Sequence, residues 1–352
     1  MAYVAVRGGE KAILNAEELL SSKTFGHQSR PLEADQILEQ FSLGVDRVMG
    51  EGGLYWPKAA AYALKQALGD PLEAAFLVRA FRSSIPRQGY TDPIDTRKMR
   101  VQRRISAAFK DVPGGQILGA TPDYGLRFIR FDLFEDLDRA RIQAKKALQG
   151  LVDSGTPLPE SFPKVVDILR ERGLLASPLS KEQSLCDVTL ETLSLPANRS
   201  ARLQCLARAE TGGLLALAYS SMRGYGQIHP AVGELRVGEV PLCIDGRPIG
   251  WIRVTECEVI SRMEKAKEQD KPFFTMGYGL CFGQNEVKAI SMAVLDRIMQ
   301  SDVAPHPAQD QEFVLLHTDG IEAMGFCLHY KLPHYVTFQA DLNQLREIRC
   351  EQ

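Results

Sequence analysis

An Asp-Gly pair set between two apolar runs places the strongest constraint on how this chain folds. Val240–Ile244 leads into Asp245-Gly246, and Pro248–Val254 follows. Asp-Gly readily adopts the positive backbone torsions of a two-residue turn, so the two runs are expected to pair as an antiparallel hairpin. The residues around them read as strand mixed with helix. Phe313–Leu316 reads as a buried strand entered through Ala308-Gln309-Asp310-Gln311-Glu312. Asn285 stands where it can cap a helix carrying Val287, Ile290, Val294, Leu295 and Ile298 on its inner side. Asp341 and Gln344 mark the start of a last helix.

The first half has a different period. After a short strand at Met1–Arg7 comes a helical stretch from Lys11 to Leu20. Ala34, Ile37, Leu38, Phe41, Val45 and Val48 fall on one helical face, which Gly50-Glu51-Gly52-Gly53 ends. A helix over about 58–68 follows. Asp70-Pro71-Leu72-Glu73 then supplies an N-cap, a first-turn proline and a capping glutamate. The chain is therefore expected to be α+β, with a mostly helical N-terminal half and a mixed strand/helix C-terminal half. Its expected regions are 1–131, mainly helical with a basic segment; 132–195, a charged, proline-containing connection; and 196–352, mixed α+β. The connection should hold helices at Asp136–Leu148 and Lys164–Arg172.

Composition narrows the function classes. The 352 residues are 45% hydrophobic and 24% charged, as in soluble globular proteins, and the net charge is -2. That charge gives no global reason to bind nucleic acid or an acidic membrane. The longest clear apolar run, Leu214–Tyr219, falls far short of a membrane span, and the N-terminus lacks the features of a signal peptide. Seven scattered cysteines, none spaced C-x-x-C, point to reduced thiols in the cytoplasm and against a zinc ribbon or iron–sulfur site. The signatures of P-loop enzymes, Rossmann oxidoreductases, zincins, kinases and nucleophile-elbow hydrolases are absent from the sequence.

Local clusters carry what chemistry is visible. Arg97, Lys98, Arg100, Arg103, Arg104 and Lys110 form the most basic stretch, read as a helix feeding the turn Pro113-Gly114-Gly115-Gln116. Such a pair can hold phosphate through guanidinium groups and free backbone N–H groups, or can be a solvated helix face with an ordinary turn. Gly-Tyr-Gly occurs at 224–226 and again at 277–279, where glycines allow a close backbone approach to a ligand or serve a turn. Glu256-Cys257-Glu258 follows the hairpin. Near the C-terminus, His329 and His334 bracket Tyr330-Lys331-Leu332-Pro333, with Cys327 and Tyr335 beside them. Five residues of separation point two side chains apart on a helix and to opposite faces on a strand. If both histidines converge on one ligand, they do so from a loop; otherwise they are unrelated residues on a turn.

The order of these segments resembles a known family. Tyr3–Ile13, Val45–Gly53, Arg103–Ala107 with Pro113–Gln116, Leu214–Ser220 with Arg223–Gly226, Thr255–Glu258, Gly277–Leu280, Ala308–Leu315 and Lys331–Val336 run together as in the PhnI subunits of the bacterial carbon–phosphorus lyase core complex. The resemblance covers nearly the whole chain and is weakest over about 132–195. It implies work with the G, H and L subunits on MgATP and an alkylphosphonate. The phosphonate displaces adenine from the ribose and gives a ribose 1-alkylphosphonate 5-triphosphate. It also implies purine nucleotide nucleosidase activity of the subunit alone, and a core complex of G, H and J with which K and L associate. In the family two histidines around the Lys-Leu-Pro turn bind zinc at the J interface; these correspond to His329 and His334.

Cleaving an N-glycosidic bond builds positive charge on the ribose and negative charge on the purine. The step calls for a carboxylate by the sugar, a proton donor to the base and cations on the triphosphate. The carboxylates expected to serve are Asp310 and Glu312, then Glu256 and Glu258. For the triphosphate the expected groups are Arg103, Arg104 and Lys110 with the Gly114-Gly115 turn, and secondarily Arg223. The competing readings are a non-catalytic scaffold that docks partners and shares an interfacial zinc site, and a metal-dependent hydrolase built on His329 and His334.

Overall fold

The computed structural model describes residues 9–131, 135–154, 162–175, 185–225, 229–263, 272–301, 304–331 and 335–349. Among them are thirteen α-helices and one four-stranded sheet, the α+β organisation expected. The expected first strand lies outside the described residues.

Helix α1 (Glu10–Phe25) buries none of its residues. Helices α2 (Ala34–Gln40), α3 (Ser42–Gly52), α4 (Pro57–Gln66) and α5 (Pro71–Ser83) form a helical layer around Val45, Val48, Met49, Ala60, Ala61 and Leu64. The single apolar face expected over 34–48 is divided between α2 and α3. Phe41 leaves the helical region there, with φ -119° and ψ 34°. Asp70 caps α5 as expected, accepting from the backbone N–H groups of Leu72 and Glu73.

The hairpin is present and longer than its apolar runs. Strands β2 (Ala231–Ile244) and β3 (Arg247–Met263) pair from Ile244–Arg247 back to Ala231–Ile260. Asp245 and Gly246 both take positive φ, at 50° and 73°, which matches the right-handed twist of the flanking strands. Strands β1 (Arg100–Ile105) and β4 (Phe273–Phe282) add antiparallel on either side, in the order β1-β2-β3-β4.

Three expected elements are corrected. The basic segment is not a helix: a short 3-10 turn at Thr96–Lys98 leads into β1, which pairs with β2 from Arg100–Glu239 to Ile105–Leu235. Ladder hydrogen bonds and burial there override a helix-compatible composition. Phe313–Leu316 is not a strand but lies in α11 (Gln311–His317), whose N-cap Asp310 accepts from the N–H groups of Glu312 and Phe313. His329 is not on a loop but in the last turn of α12 (Gly320–Tyr330).

Between these elements run α6 (Leu137–Ser154), α7 (Val165–Glu171), α8 (Arg199–Arg208), α9 (Thr211–Ser220) and α10 (Glu286–Ile298), and α13 (Tyr335–Arg349) closes the described chain. The main core lies between the sheet and α10, where Leu235, Cys257, Val259 and Cys281 meet Ala289, Met292, Ala293 and Leu295. Gly277 and Gly279 of β4 make this contact close. A methyl on either would overlap the carbonyl oxygen of Ala293 or Ala289. The second Gly-Tyr-Gly triplet therefore admits a helix rather than a ligand or a turn. β4 is also an edge strand, and α10 covers its edge: Asp296 accepts from the Tyr278 N–H at 2.9 Å. Asn285 stands at the N-cap of α10 but turns its side-chain amide to the carbonyls of Asp46 (2.7 Å) and Phe282 (2.6 Å).

Candidate functional site

The pleat sends alternate side chains of each strand to opposite faces. On the face away from α10, the register places Glu234 opposite Glu258 and Arg236 opposite Glu256, with Arg104 of β1 beside Arg236 and Tyr278 of β4 beside Glu258. The charged residues are closed off from solvent, Arg104 at 0% exposed, Glu256 at 1% and Glu258 at 4%, while Tyr278 is half-buried. Residues from other segments complete the cluster. The Lys164 ammonium donates to Glu256 at 2.7 Å and to Glu258 at 3.0 Å. The same Oε1 of Glu256 accepts from the Thr96 hydroxyl (2.7 Å) and the Tyr278 hydroxyl (2.9 Å). Arg104 and Arg236 both donate to Oε1 of Glu234.

Desolvating each of these charges costs several kcal/mol, so each survives only by pairing. Burial, with Glu256 adding to it and Lys164 opposing, raises the Glu258 carboxyl to about 7. Burial by itself would lower Lys164, but Glu258 and Glu256 outweigh it and lift the ammonium above its usual value. Burial and Glu256 likewise raise the Tyr278 phenol. Oε2 of Glu256 and Oε2 of Glu258 have no hydrogen-bond partner among the described residues. The network can hold a proton and tie three segments to the sheet. Its carboxylates are buried among the described residues.

The expected site residues are thus distributed over several places. Glu256 and Glu258 come together in this network. Arg104 lies on the same face, donates to Glu234, and gives its remaining N–H groups to the carbonyls of Pro113, Gly115 and Pro163. The Gly114-Gly115 turn does meet a basic residue, then, but it offers an acceptor to an arginine rather than donors to a phosphate. Arg103 points to the opposite face and is used by Glu286 (3.1 Å), Asp123 (2.5 Å) and the Leu118 carbonyl. Lys110 is exposed, its carbonyl accepting from Gln116. Arg223, also exposed, lies 5.8 Å over the Tyr219 ring and donates to its hydroxyl.

Asp310 and Glu312 lie at the start of α11, away from the network and open to solvent. His329 is half-buried at the end of α12, with exposed Cys327 one half-turn earlier. His334 lies outside the described residues. Among the described residues no three His, Cys, Asp or Glu side chains gather as a metal set. His329 alone supplies an imidazole suited to one position of a zinc shared with other ligands.

Lys164, Glu234, Arg236, Thr96 and Tyr278 were not singled out by sequence reasoning. Glu234-Leu235-Arg236 repeats the charged-apolar-charged spacing of Glu256-Cys257-Glu258, and that shared period of two was the available signal. Nothing local announces Lys164, which comes from the stretch read as a connection.

Comparison with known proteins covers the whole chain. A family model described as bacterial phosphonate metabolism protein (PhnI) matches residues 2–352. A Stutzerimonas stutzeri protein named putative C-P lyase subunit protein HtxH is 50% identical over 358 residues, covering 98% of this chain and 95% of that one. Two proteins named alpha-D-ribose 1-methylphosphonate 5-triphosphate synthase subunit PhnI are also similar. The one from Rhizobium meliloti (strain 1021) is 45% identical over 364 residues, covering 99% of this chain and 95% of its own length. The one from Escherichia coli (strain K12) is 43% identical over 361 residues, covering 99% of both.

Proposed function

The chain belongs to the PhnI family, and from that membership we propose that it is a subunit of the carbon–phosphorus lyase system, acting in ribose 1-methylphosphonate 5-triphosphate synthesis. The observation that carries this reading is the family match from residue 2 to residue 352. No described helix is long and apolar enough to cross a membrane.

The chemistry we assign is displacement at the ribose C1 of MgATP. A phosphonate oxygen forms a bond to C1, the bond from C1 to the purine nitrogen breaks, and the departing adenine takes the electron pair and then a proton. Without the phosphonate, water attacks and the products are adenine and ribose 5-triphosphate. Of the four carboxylates expected from the sequence, Asp310 and Glu312 are the exposed ones. Asp310 is committed to capping α11, which leaves Glu312 as the candidate to face the cationic ribose. Glu256 and Glu258 support the sheet from behind. His329 and His334 would hold zinc jointly with the J subunit, and the G, H, K and L subunits complete the assembly in the cytoplasm. When bound, zinc would supply a positive charge at that interface; the glycosidic step is assigned to the carboxylates.

Purine release from MgATP, followed by chromatography, tests the assignment. Glu312→Gln is expected to lower release at least tenfold in the isolated chain or its complex. Asp310→Asn keeps a capping side chain and should lower release less. Normal release by both variants defeats the carboxylate assignment. One observation favours a scaffold instead: α13 exposes Val336, Phe338, Leu345 and Ile348, apolar surface suited to docking. Absence of adenine release from the complete complex would favour that reading.

A further inference from the structure

A cavity of about 240 Å³ lies between the end of α3, α5, α8 and the last residues of β4. Its floor is apolar, formed by Ile252, Val254 and Leu280 among others, and Arg82 and Arg208 line it together. Arg208 also lies across Gly53, which ends α3; a methyl there would stand 3.6 Å from its Nε.

The surrounding charges do not balance. Arg79 gives its terminal N–H groups to both oxygens of Asp319 (2.9 and 2.8 Å) and to the carbonyls of Glu51 and Arg208, while its Nε is buried without a hydrogen-bond partner among the described residues. Arg87 is consumed by Asp187, Thr189 and Tyr90. Asp187 and Asp319 face these guanidinium groups, but their hydrogen bonds go to Arg87 and Arg79 rather than to Arg82 or Arg208. Arg208 Nε is buried without a hydrogen-bond partner among the described residues. Burial lowers the basicity of Arg82, with Arg87 and Arg79 adding to it and Asp187 opposing. Burial likewise lowers that of Arg208, with Arg79 and Arg82 adding to it and Asp319 opposing. Like charges held together in a partly desolvated place cost stability unless something negative joins them.

We propose that this cavity binds a small alkylphosphonate, its oxygens on Arg82 and Arg208 and its alkyl group on the Ile252–Val254–Leu280 floor. Guanidinium forks match the geometry of a tetrahedral oxyanion, and two of them suit a dianion. The apolar floor gives the carbon substituent a surface that inorganic phosphate cannot use. The volume lies below that of sites for drug-sized ligands, so it fits a small phosphonate and not a whole nucleoside triphosphate. The choice of phosphonate over other organic oxyanions rests on the proposed function; the anion site itself does not.

Titration calorimetry of the full chain at low ionic strength, with methylphosphonate and inorganic phosphate as probes, tests this. Saturable methylphosphonate binding is expected, tighter than that of phosphate by about threefold to tenfold, the worth of a buried methyl. Arg82→Gln and Arg208→Gln should each weaken it tenfold or more. Arg82→Lys and Arg208→Lys keep the charge but lose the fork, and should weaken it while leaving unliganded thermal unfolding unchanged. No saturable binding, or binding indifferent to all four variants, overturns the proposal. Equal binding of phosphate overturns the role of the floor. Adenine release by the parent chain is scored separately: absence of phosphonate binding with normal adenine release counts against this site alone, and phosphonate binding without adenine release counts against the proposed activity alone.

Discussion

The two faces of the one sheet solve burial in opposite ways. Toward α10, Leu235, Cys257, Val259 and Cys281 pack on a helix that comes close because β4 carries glycine at 277 and 279. Toward α7 and the Thr96 turn, Arg104, Glu234, Arg236, Glu256 and Glu258 are equally hidden but charged. The apolar face tolerates loss of an atom by partial collapse. The charged face has no such tolerance, because each partner removed leaves a desolvated charge behind. The difference teaches that depth of burial does not separate structural from reactive groups here; access does. Glu256 and Glu258 look like paired catalytic carboxylates by type, yet their partners come from inside the protein.

Lys164 gives the most direct way to break this comparison. Among the described residues its ammonium donates to both Glu256 and Glu258. Lys164→Ala should lower unfolding free energy by about 3–5 kcal/mol, the cost of orphaning a buried charge pair. The shift in urea midpoint at constant m-value measures it. A loss below about 1 kcal/mol would mean that water or rearrangement screens the glutamates, and the charged face would then be no stricter than the apolar one.

The opposite face is probed at Gly277. Gly277→Ala places a methyl against the Ala293 carbonyl and the Arg297 side chain, so α10 has to shift outward. The expected cost is about 1–3 kcal/mol, as for an overpacked core, accompanied by weaker near-UV circular dichroism. An unchanged unfolding midpoint would show that the glycines do not set the spacing of helix and sheet.

Particular residues show why part of this was legible in the sequence. Asp245-Gly246 disclosed the hairpin because its turn chemistry is local, and Asp70-Pro71 disclosed a helix start for the same reason. The helical reading of Arg97–Lys110 failed because β1 exists through pairing with residues about 135 positions later, which no local window contains. Phe313–Leu316 reads apolar either way, and Asp310 acts as a helix cap one residue before α11. The candidate site was legible in residue types but not in placement. Arg103 and Arg104 are adjacent and basic, yet β geometry sends them to opposite faces and supplies each with internal carboxylates. Arg82 and Arg208 carry no local mark, because they reach one cavity from two helices far apart in the sequence, α5 and α8.

The finest distinction between the faces is their response to pH. Burial raises the folded Glu258 carboxyl from its usual value of 4.5 to about 7. Between those values the folded state holds a proton that the unfolded state has lost, so this group's contribution to stability is fully present below about 4.5. It then falls as pH rises to about 7, and is flat beyond. The slope it can add is at most about 1.4 kcal/mol per pH unit. Glu258→Gln keeps the side-chain shape and removes the titration, so its stability curve should be flatter than the parent's from pH 5 to 7, measured by urea unfolding at half-unit intervals. Parallel curves would place the proton elsewhere in the network. Gly277→Ala, acting on a face without such a carboxylate, should lower the whole curve and leave its slope alone.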